Sequence, residues 1–408
     1  MGRSRRRVLI LGLGASLLIT AVVAYALVAL LRKAPAPTMT AAPLPTAFAG
    51  RLSVGWPAVG ESALAVQGVG LIGSHGGNRP EAIASVAKIM TAFIVLRDHP
   101  LRPGEDGPSL VITPADVALY KSDIALDEST VQVKAGEVLS ERQALEALLL
   151  PSANNIATLL AEWDAGSLDA FVAKMNATAK ALGMSRTHYA DASGFDPTTV
   201  STARNQVRLA LAAIRVPAFA NLVATRQVAL PVGGLQENLD SLLGTNGIIG
   251  IKTGTTDSAG GCFVLAARVH VGHRIVMVAG AVMGQPASAT EPTILVAALH
   301  AAGVLAKSVP HVMRGFNALA RGRTFAWIRS PWAREVPVKP AKLPSLVGWS
   351  GLPVRITIVP RPDLKAPIRR GEQVGEAVVT VGHQHAQLAL LAVRPVPLPS
   401  LGWRVLHP

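Results

Sequence analysis

Three short motifs carry the residue types needed for acyl transfer through a serine ester. They are Ser85-Val-Ala-Lys88, Ser152-Ala-Asn154 and Lys252-Thr-Gly254, in this order along the chain. A serine hydroxyl is a poor nucleophile until a base removes its proton, and a lysine becomes such a base once its ammonium form is destabilised. Each motif alone occurs often by chance. Their combination and order favour a shared catalytic site.

The first motif is predicted to begin a helix. Ser85 and Lys88 are three residues apart, so both side chains lie on one face of that helix. Burial among apolar neighbours and a second cation, for which Lys252 is the candidate, would lower the pKa of Lys88. Backbone N–H groups at the helix start could also stabilise an oxyanion. Taken alone, the motif is better explained by a capping serine followed by a solvated lysine.

The other two motifs supply groups for proton transfer and substrate binding. Ser152 would relay a proton to the leaving nitrogen, while Asn154 would hold the substrate amide and orient the base. Lys252 and Thr253 would offer a positive charge and a hydroxyl to a substrate carboxylate. Gly254 would let the substrate backbone approach the strand edge. The alternatives are a helix cap for the second motif and a hairpin turn for the third.

The elements that must position these residues are those of an α+β protein. Residues 63–73 resemble a strand, and Ser85 opens an apolar helix that ends near Leu96. Ser140 and Gln143 form a capping-box pattern before a second helix, which Pro151 ends. Further elements are predicted as helices at 156–163 and 201–214, and as strands near 248–252, 262–269 and 274–283. The strands with short connections predict an antiparallel sheet that carries Lys252.

Composition narrows the class of protein. The chain has 408 residues, so two domains are expected. Its net charge of +14 indicates either a solvated basic surface or a polyanionic neighbour such as anionic lipid, wall polymer or nucleic acid. Aromatic residues make up only 4%, and basic residues do not alternate with aromatics outside the N-terminus, so we expect no nucleic-acid partner. The single cysteine, Cys262, excludes an internal disulfide, and no metal-ligand spacing is visible. No cofactor is implied.

The N-terminus predicts a membrane anchor. An uncharged apolar run from Val8 to Leu31 is long enough to span a bilayer, with four arginines before it and Arg32-Lys33 after it. The arginine excess predicts a cytoplasmic N-terminus and an external body. A cleaved signal peptide is the alternative, with Ala24-Tyr-Ala26 as its cleavage site, but the apolar run continues beyond it.

Five segments follow from these patterns. We expect a basic tail and transmembrane anchor at 1–33, a Pro/Ala-rich extended linker at 34–50, and a catalytic domain at 51–312. A small all-β domain is expected at 313–395, since its Pro-rich sequence contains short Val/Ile runs. Residues 396–408 form a tail.

Longer stretches around the motifs resemble a known family, the low-molecular-mass penicillin-binding proteins that are serine D-alanyl-D-alanine carboxypeptidases. The similar stretches are Ala84–Thr91, Pro151–Ala157, Thr187–Phe195 with Ser201–Arg204, Gly250–Gly260 and Leu364–Gly375. The similarity covers roughly residues 50–395. It implies a penicillin-binding/β-lactamase-like antiparallel sheet with packed helices and a small all-β C-terminal domain.

The resemblance also implies roles for individual residues. Ser85 would be the acylated nucleophile and Lys88 its general base, and the backbone N–H groups of Ser85 and Thr255 would form the oxyanion hole. Lys252, Thr253, Gly254 and Thr255 would bind substrate, and Ser152 and Asn154 would act as described above. The implied substrate is a peptidoglycan stem pentapeptide ending in D-Ala-D-Ala, and β-lactams would be covalent inhibitors.

Some positions depart from the family pattern. Asn155 and Asn205 stand where the family often has Asp, and no arginine lies between Arg274 and Arg314, where many members have one. The terminal amphipathic helix of the family is missing, and we expect the N-terminal helix to replace it. Two alternatives stay open: a D,D-endopeptidase of cross-linked stems, and a penicillin-sensing or β-lactamase-related acyl-enzyme. The class A β-lactamases fit less well, because Glu-x-x-Leu-Asn is absent.

Overall fold

Helices and strands follow one another irregularly, as expected for an α+β protein. The computed structural model describes residues 2–102 and 104–407. The helices are α1 (Gly2–Leu31), α2 (Lys88–Asp98), α3 (Pro114–Ala125), α4 (Glu141–Leu149), α5 (Asn154–Ala165), α6 (Leu168–Ala181), α7 (Ala203–Ala213), α8 (Pro217–Val223), α9 (Ile294–Val312), α10 (Phe316–Ala320) and α11 (Leu401–Leu406), with a 3-10 helix at Ala84–Ala87.

The strands belong to several sheets and ribbons. They are β1 (Thr38–Ala41), β2 (Glu61–Val66), β3 (Gly70–His75), β4 (Glu81–Ala82), β5 (Ser109–Val111), β6 (Val138–Ser140), β7 (Val200–Ser201), β8 (Gln227–Leu230), β9 (Gly234–Glu237), β10 (Ile248–Thr256), β11 (Gly260–Val271), β12 (Arg274–Gln285), β13 (Met313–Gly315), β14 (Ala326–Ser330), β15 (Ala333–Pro340), β16 (Val347–Trp349), β17 (Val354–Pro360), β18 (Gln373–Val381) and β19 (Gln384–Ala392). Contacts divide the chain into a larger unit, residues 50–314, and a smaller unit, residues 2–49 with 315–407.

The central sheet of the larger unit is antiparallel, with strand order β10-β11-β12-β2-β3. This confirms the predicted sheet and places Lys252 on the edge strand β10. The single strand predicted over 63–73 is instead the hairpin β2–β3. The chain turns there because Gly68 and Gly70 adopt positive φ angles, which glycine tolerates best.

The helices pack around this sheet and around α2. Helix α9 contacts β11 and β12, and α7 contacts β12 and β2. Consecutive residues of β11 are buried, so both faces of the sheet are covered. Helix α2 is buried along most of its length and contacts α4, α5, α6 and α7. The predicted capping box of Ser140 and Gln143 is confirmed at the start of α4.

Two described helices are long and apolar enough to cross a membrane, Leu9–Leu31 within α1 and Ile294–Val312, and a bent pair formed by α7 and α8 would count as a further span. Only 6% of the N-terminal window is buried, against 39% of the window in α9. The apolarity of α9 is explained by Ala298, Ala302 and Leu305, which are buried in the larger unit. The N-terminal helix is therefore the candidate membrane span.

The smaller unit contains an antiparallel sheet of order β1-β14-β15-β19-β18-β17. Strand β1 lies inside the predicted linker, so that segment is not an extended spacer throughout: Thr38–Ala41 pairs with β14, and Met39 packs against the core of the unit. The predicted tail likewise contains α11, whose first turn is capped by Ser400. The open edge of β14 explains why β1 forms within the predicted linker, because unpaired backbone groups at a sheet edge favour pairing with a further strand. The remaining domain boundaries stay a prediction.

The buried carboxyl group of Glu141 lowers the free energy of unfolding of the larger unit. Glu141, at the start of α4, is completely buried, and neither of its side-chain oxygens has a hydrogen-bond partner among the described residues. Burial, with a smaller contribution from Glu105 and opposed by Arg142, raises the pKa of Glu141 to about 7 from 4.5. Between these two pH values the folded chain keeps a proton that the unfolded chain loses. Stability therefore falls as pH rises through this window.

The substitution Glu141→Gln tests this effect. Because glutamine stays neutral, we expect the variant to gain about 1–3 kcal/mol in free energy of unfolding over the wild type at pH 8, and little at pH 5. Chemical denaturation at the two pH values measures the difference. Glu162→Gln, at an exposed carboxyl, is the matched control. A Glu141→Gln variant that is less stable than the wild type at pH 8 would contradict this account.

Candidate active site

The side chain of Lys88 is the centre of a buried polar cluster. Its Nζ lies 2.9 Å from Ser85 Oγ, 2.5 Å from Asn154 Oδ1 and 3.0 Å from the carbonyl oxygen of Ser193. The amide and carbonyl oxygens can only accept hydrogen bonds, so they take two N–H groups of the amine. A neutral amine then directs its lone pair at the Ser85 hydroxyl, which can donate to it. This is the geometry of a nucleophile and its base.

The surroundings of Lys88 favour the neutral amine. The side chain is fully buried, and burial followed by repulsion from Lys252 lowers the pKa of Lys88 well below its ordinary value. Asp191 and Glu128 oppose this shift with smaller effects. The predicted influence of a second cation is therefore present, and burial is the larger cause.

Lys252 is itself buried on β10, and burial lowers its pKa to about 7. The carboxylate of Asp240 opposes that shift and favours the charged lysine. Asp240 is buried as well, so its own pKa rises to about 6, and its Oδ2 has no hydrogen-bond partner in the part of the chain that the structure describes. The sequence analysis did not identify Asp240. Its only sequence signal is an Asx-type turn, in which its Oδ1 accepts from Leu242 N.

The second motif contributes two differently held side chains. Asn154 begins α5, and its Nδ2 donates to Glu128 Oε2 while its Oδ1 accepts from Lys88. Ser152 has φ +72°, a left-handed conformation that is strained for serine. Its hydroxyl is buried without a hydrogen-bond partner among the described residues, so its predicted role as a proton relay stays a prediction. Asn155 points elsewhere and bonds the backbone of Val131.

A loop outside the three motifs, residues 191–195, forms one wall of the cluster around Lys88. The Asp191 carboxylate holds this loop by accepting the backbone N–H groups of Ser193, Gly194 and Phe195. Gly194 has φ +82°, and a Cβ there would lie 1.9 Å from the carbonyl oxygen of Ala84. Only glycine therefore permits the loop to pack on the 3-10 helix that carries the nucleophile. In the sequence this segment was visible only through the family resemblance.

The third motif places strand β10 beside the 3-10 helix. A Cβ on Gly254 would lie 3.0 Å from the backbone nitrogens of Ser85 and Val86, so glycine allows this close approach. Lys252 and Gly254 share one face of the strand. Thr253 and Thr255 alternate with them and leave the strand on the other face. Their predicted contacts with substrate, and the oxyanion role of the Thr255 N–H, stay predictions.

The chain resembles proteins of known family. The D-alanyl-D-alanine carboxypeptidase family matches residues 71–286, more than half of the chain. The D-alanyl-D-alanine carboxypeptidase DacB2 of Mycobacterium tuberculosis is 37% identical over 48% of this chain and 64% of its own length. The D-alanyl-D-alanine endopeptidase of Pseudomonas aeruginosa is 32% identical over 46% of this chain and 60% of its own length. The chain thus spans less than two thirds of these curated relatives.

Solved structures show the same fold. The Streptomyces K15 DD-transpeptidase is 25% identical, with a TM-score of 0.52, over 65% of this chain and 98% of its own. Penicillin binding protein 5 from Haemophilus influenzae is 19% identical, with a TM-score of 0.56, over 85% of this chain and 99% of its own. The similarity to penicillin binding protein 5, at 19% identity, concerns the fold alone.

The electrostatic attraction between Asp240 and Lys252 predicts a pH effect on acylation. Removing the Asp240 carboxylate as Asp240→Asn should lower the pKa of Lys252 further, since less negative charge then favours its ammonium form. We expect the alkaline limb of the pH profile of acylation by a fluorescent penicillin to move down by roughly 0.5–1 pH unit. Asp257→Asn, at an exposed carboxyl after the same strand, is the control. An unchanged or upward-shifted limb would contradict the assignment.

Proposed function

Because the chain belongs to the D-alanyl-D-alanine carboxypeptidase family, we propose that it removes the terminal D-Ala from peptidoglycan stem pentapeptides. The reaction proceeds through an acyl-enzyme on Ser85. The observation that carries this proposal is the buried Lys88 amine, 2.9 Å from Ser85 Oγ and with a lowered pKa. A neutral amine at this distance activates the hydroxyl as a nucleophile.

Acylation begins when the Ser85 hydroxyl transfers its proton to Lys88 and its oxygen attacks the carbonyl carbon of the penultimate D-Ala. The N–H groups of Ser85 and Thr255 stabilise the oxyanion. Ser152 passes its proton to the nitrogen of the departing D-Ala and takes the proton held by Lys88 in its place, and the C–N bond breaks. The neutral Lys88 then takes a proton from water, whose oxygen adds to the ester carbonyl carbon. The ester C–O bond breaks, and Lys88 returns the proton to Ser85 Oγ.

Binding of the substrate carboxylate is the proposed task of Lys252. A charge-assisted hydrogen bond to a free terminal carboxylate distinguishes an exopeptidase substrate from an internal peptide bond. The bound carboxylate would itself raise the pKa of Lys252 and keep that lysine charged. Thr253, Gly254 and Thr255 line the same strand edge, where the substrate backbone would pair. The same contacts would admit β-lactams, which would remain attached to Ser85 as inhibitors.

A D,D-endopeptidase is the second candidate function. The similarity to the endopeptidase of Pseudomonas aeruginosa supports it, as does the lack of an arginine between Arg274 and Arg314. A pocket with Lys252 as its only carboxylate-binding cation would tolerate a substituted carboxyl. We favour the carboxypeptidase because the family and the DacB2 relative carry that description. A penicillin-sensing or β-lactamase-related acyl-enzyme is the remaining alternative.

The proposed location is the cell membrane, with a single pass and an extracytoplasmic catalytic unit. Helix α1 is the anchor, since its apolar window is 6% buried and the arginines precede it. The partners are then the membrane and the stem peptide. We propose no nucleic-acid partner.

The acyl-enzyme assignment is tested by comparing Ser85→Ala with the exposed control Ser122→Ala. Ser85→Ala should lose D-Ala release from a pentapeptide and also lose covalent penicillin labelling, because the ester cannot form. Lys88→Ala should slow acylation by about 10²–10⁴-fold, the usual effect of removing a general base. Intact-mass analysis locates the adduct, and an adduct on another serine would refute the assignment.

A second assay offers the enzyme a cross-linked dimer and the pentapeptide side by side and compares their rates of cleavage. Faster cleavage of the dimer would refute the proposed carboxypeptidase activity and support the endopeptidase.

The topology is tested by cysteine labelling, since the single native thiol, Cys262, is completely buried. A membrane-impermeant maleimide should label Ser109→Cys in intact spheroplasts and Ser4→Cys only after permeabilisation. The reverse pattern would refute an external catalytic unit. A mature N-terminus near Leu27 would show cleavage in place of an anchor.

A further inference from the structure

A cluster of charged side chains joins the far ends of the two helices that carry Lys88 and Asn154. Lys174 of α6 places its Nζ 2.9 Å from Asp98 Oδ2 and also contacts Asp164 Oδ2. Asp98 is the last residue of α2, and Asp164 is the last residue but one of α5. A single lysine therefore ties the C-terminal end of α2 to the C-terminal end of α5.

The same two helices also meet at their first residues. Helix α2 begins with Lys88 and α5 begins with Asn154, and Lys88 Nζ lies 2.5 Å from Asn154 Oδ1. Asp98 follows Lys88 by ten positions, and Asp164 follows Asn154 by ten. At 1.5 Å per residue, each of these spans is about 15 Å long. The helices, which contact each other, therefore run in the same direction and are joined at both ends.

The cluster differs from an ordinary surface ion pair because the carboxylate of Asp164 is buried. The side chain of Asp164 is 0% exposed, against 30% for Lys174 and 27% for Asp98. His99 Nε2 lies 3.3 Å from the second oxygen of Asp164, Oδ1, without forming a hydrogen bond to it. A buried charge that loses its partner is left uncompensated, so the fold strongly favours keeping Lys174 in place.

A ring contact joins the same helix ends but cannot fix their register. The imidazole of His99, which follows α2, lies against the indole of Trp163 in α5, with ring centroids 4.0 Å apart. Flat rings can slide over each other at little cost. The hydrogen bonds of Lys174 to Asp98 and Asp164 are directional and set one position.

The register of α2 and α5 decides the geometry at their other ends. Among the described residues, no side-chain hydrogen bond caps the first turn of either helix. A shift of one helix along the other would break the bond between Lys88 Nζ and Asn154 Oδ1 and turn the amine away from Ser85 Oγ. A misplacement of about 1 Å, caused far from the reacting atoms, can lower a rate by about 10²-fold.

From these observations we propose that Lys174 is a positioning residue for acyl transfer. By binding Asp98 and Asp164 it fixes the register of α2 against α5 and thereby holds Asn154 Oδ1 against the amine of Lys88. The inference rests on the proposed acyl-enzyme on Ser85. It adds to that site a group that does not touch the substrate and acts through two helices.

The test measures acylation of the full-length protein by a fluorescent penicillin over a range of concentrations. The labelling amplitude counts folded sites, the limiting rate constant reports the geometry of the nucleophile, and the half-saturating concentration reports binding. Lys174→Met keeps the aliphatic chain and removes the charge. We expect its limiting rate constant to fall roughly tenfold or more, with the half-saturating concentration changed less than about twofold.

Two further substitutions of α6 lysines are the controls. Lys174→Arg keeps the positive charge and should restore most of the limiting rate constant. Lys180→Met alters an exposed lysine of the same helix, outside the cluster, and should match the wild type.

Asp98→Asn is a second, milder variant that decides the matter even if Lys174→Met does not fold. It releases α2 from Lys174 and leaves the buried pair of Lys174 and Asp164 intact. We expect the limiting rate constant of this variant to fall by roughly threefold, again without a matching change in binding.

The possible failures are distinguishable. A cluster that only stabilises the fold would lower the labelling amplitude and leave the limiting rate constant of both variants at the wild-type value, which overturns the proposal. A loss carried by the half-saturating concentration overturns it as well. A wild-type protein that penicillin does not label overturns the acyl-enzyme and this inference together. Labelling without release of D-Ala from a pentapeptide refutes the carboxypeptidase and leaves the role of Lys174 to the rate constants.

Discussion

The arrangement of the larger unit around its site depends on one constraint, which is that the amine of Lys88 is buried and aimed at Ser85. A lysine without access to water loses its proton unless a carboxylate compensates, and here burial outweighs the opposing charges of Asp191 and Glu128. Keeping that amine dry requires the apolar packing of α2 against its neighbouring helices. Keeping it aimed at Ser85 requires two acceptors that are fixed in position, Asn154 Oδ1 and the Ser193 carbonyl.

Each acceptor is fixed by its own support. Asn154 is held from the far side by Glu128, and the Ser193 carbonyl is held by a loop that folds around the Asp191 carboxylate. The carboxylates near the site therefore orient hydrogen-bond acceptors, and those of Asp191 and Glu128 also oppose the lowering of the Lys88 pKa.

Close backbone approach is the second requirement of this arrangement. Gly194 brings the loop onto the 3-10 helix, and Gly254 brings the strand edge to the nitrogens of Ser85 and Val86. At both positions a side chain would separate the elements. The glycines of the third motif and of the Ser193 loop therefore set the distance between the parts, whereas the polar residues set the chemistry.

Local rules were enough to predict much of the fold and the three motifs. Periodicity, the capping box at Ser140 and the prolines identify most elements, because these signals act within a few residues. The strand β1 inside the expected linker was not predictable in this way, since its pairing depends on the open edge of β14, far away in the chain. The same holds for Asp240, which is an unremarkable acidic residue in the sequence. The sequence by itself determined which groups are available for chemistry; the tertiary structure decided their charge states and partners, because burial and distance arise only when remote segments pack together.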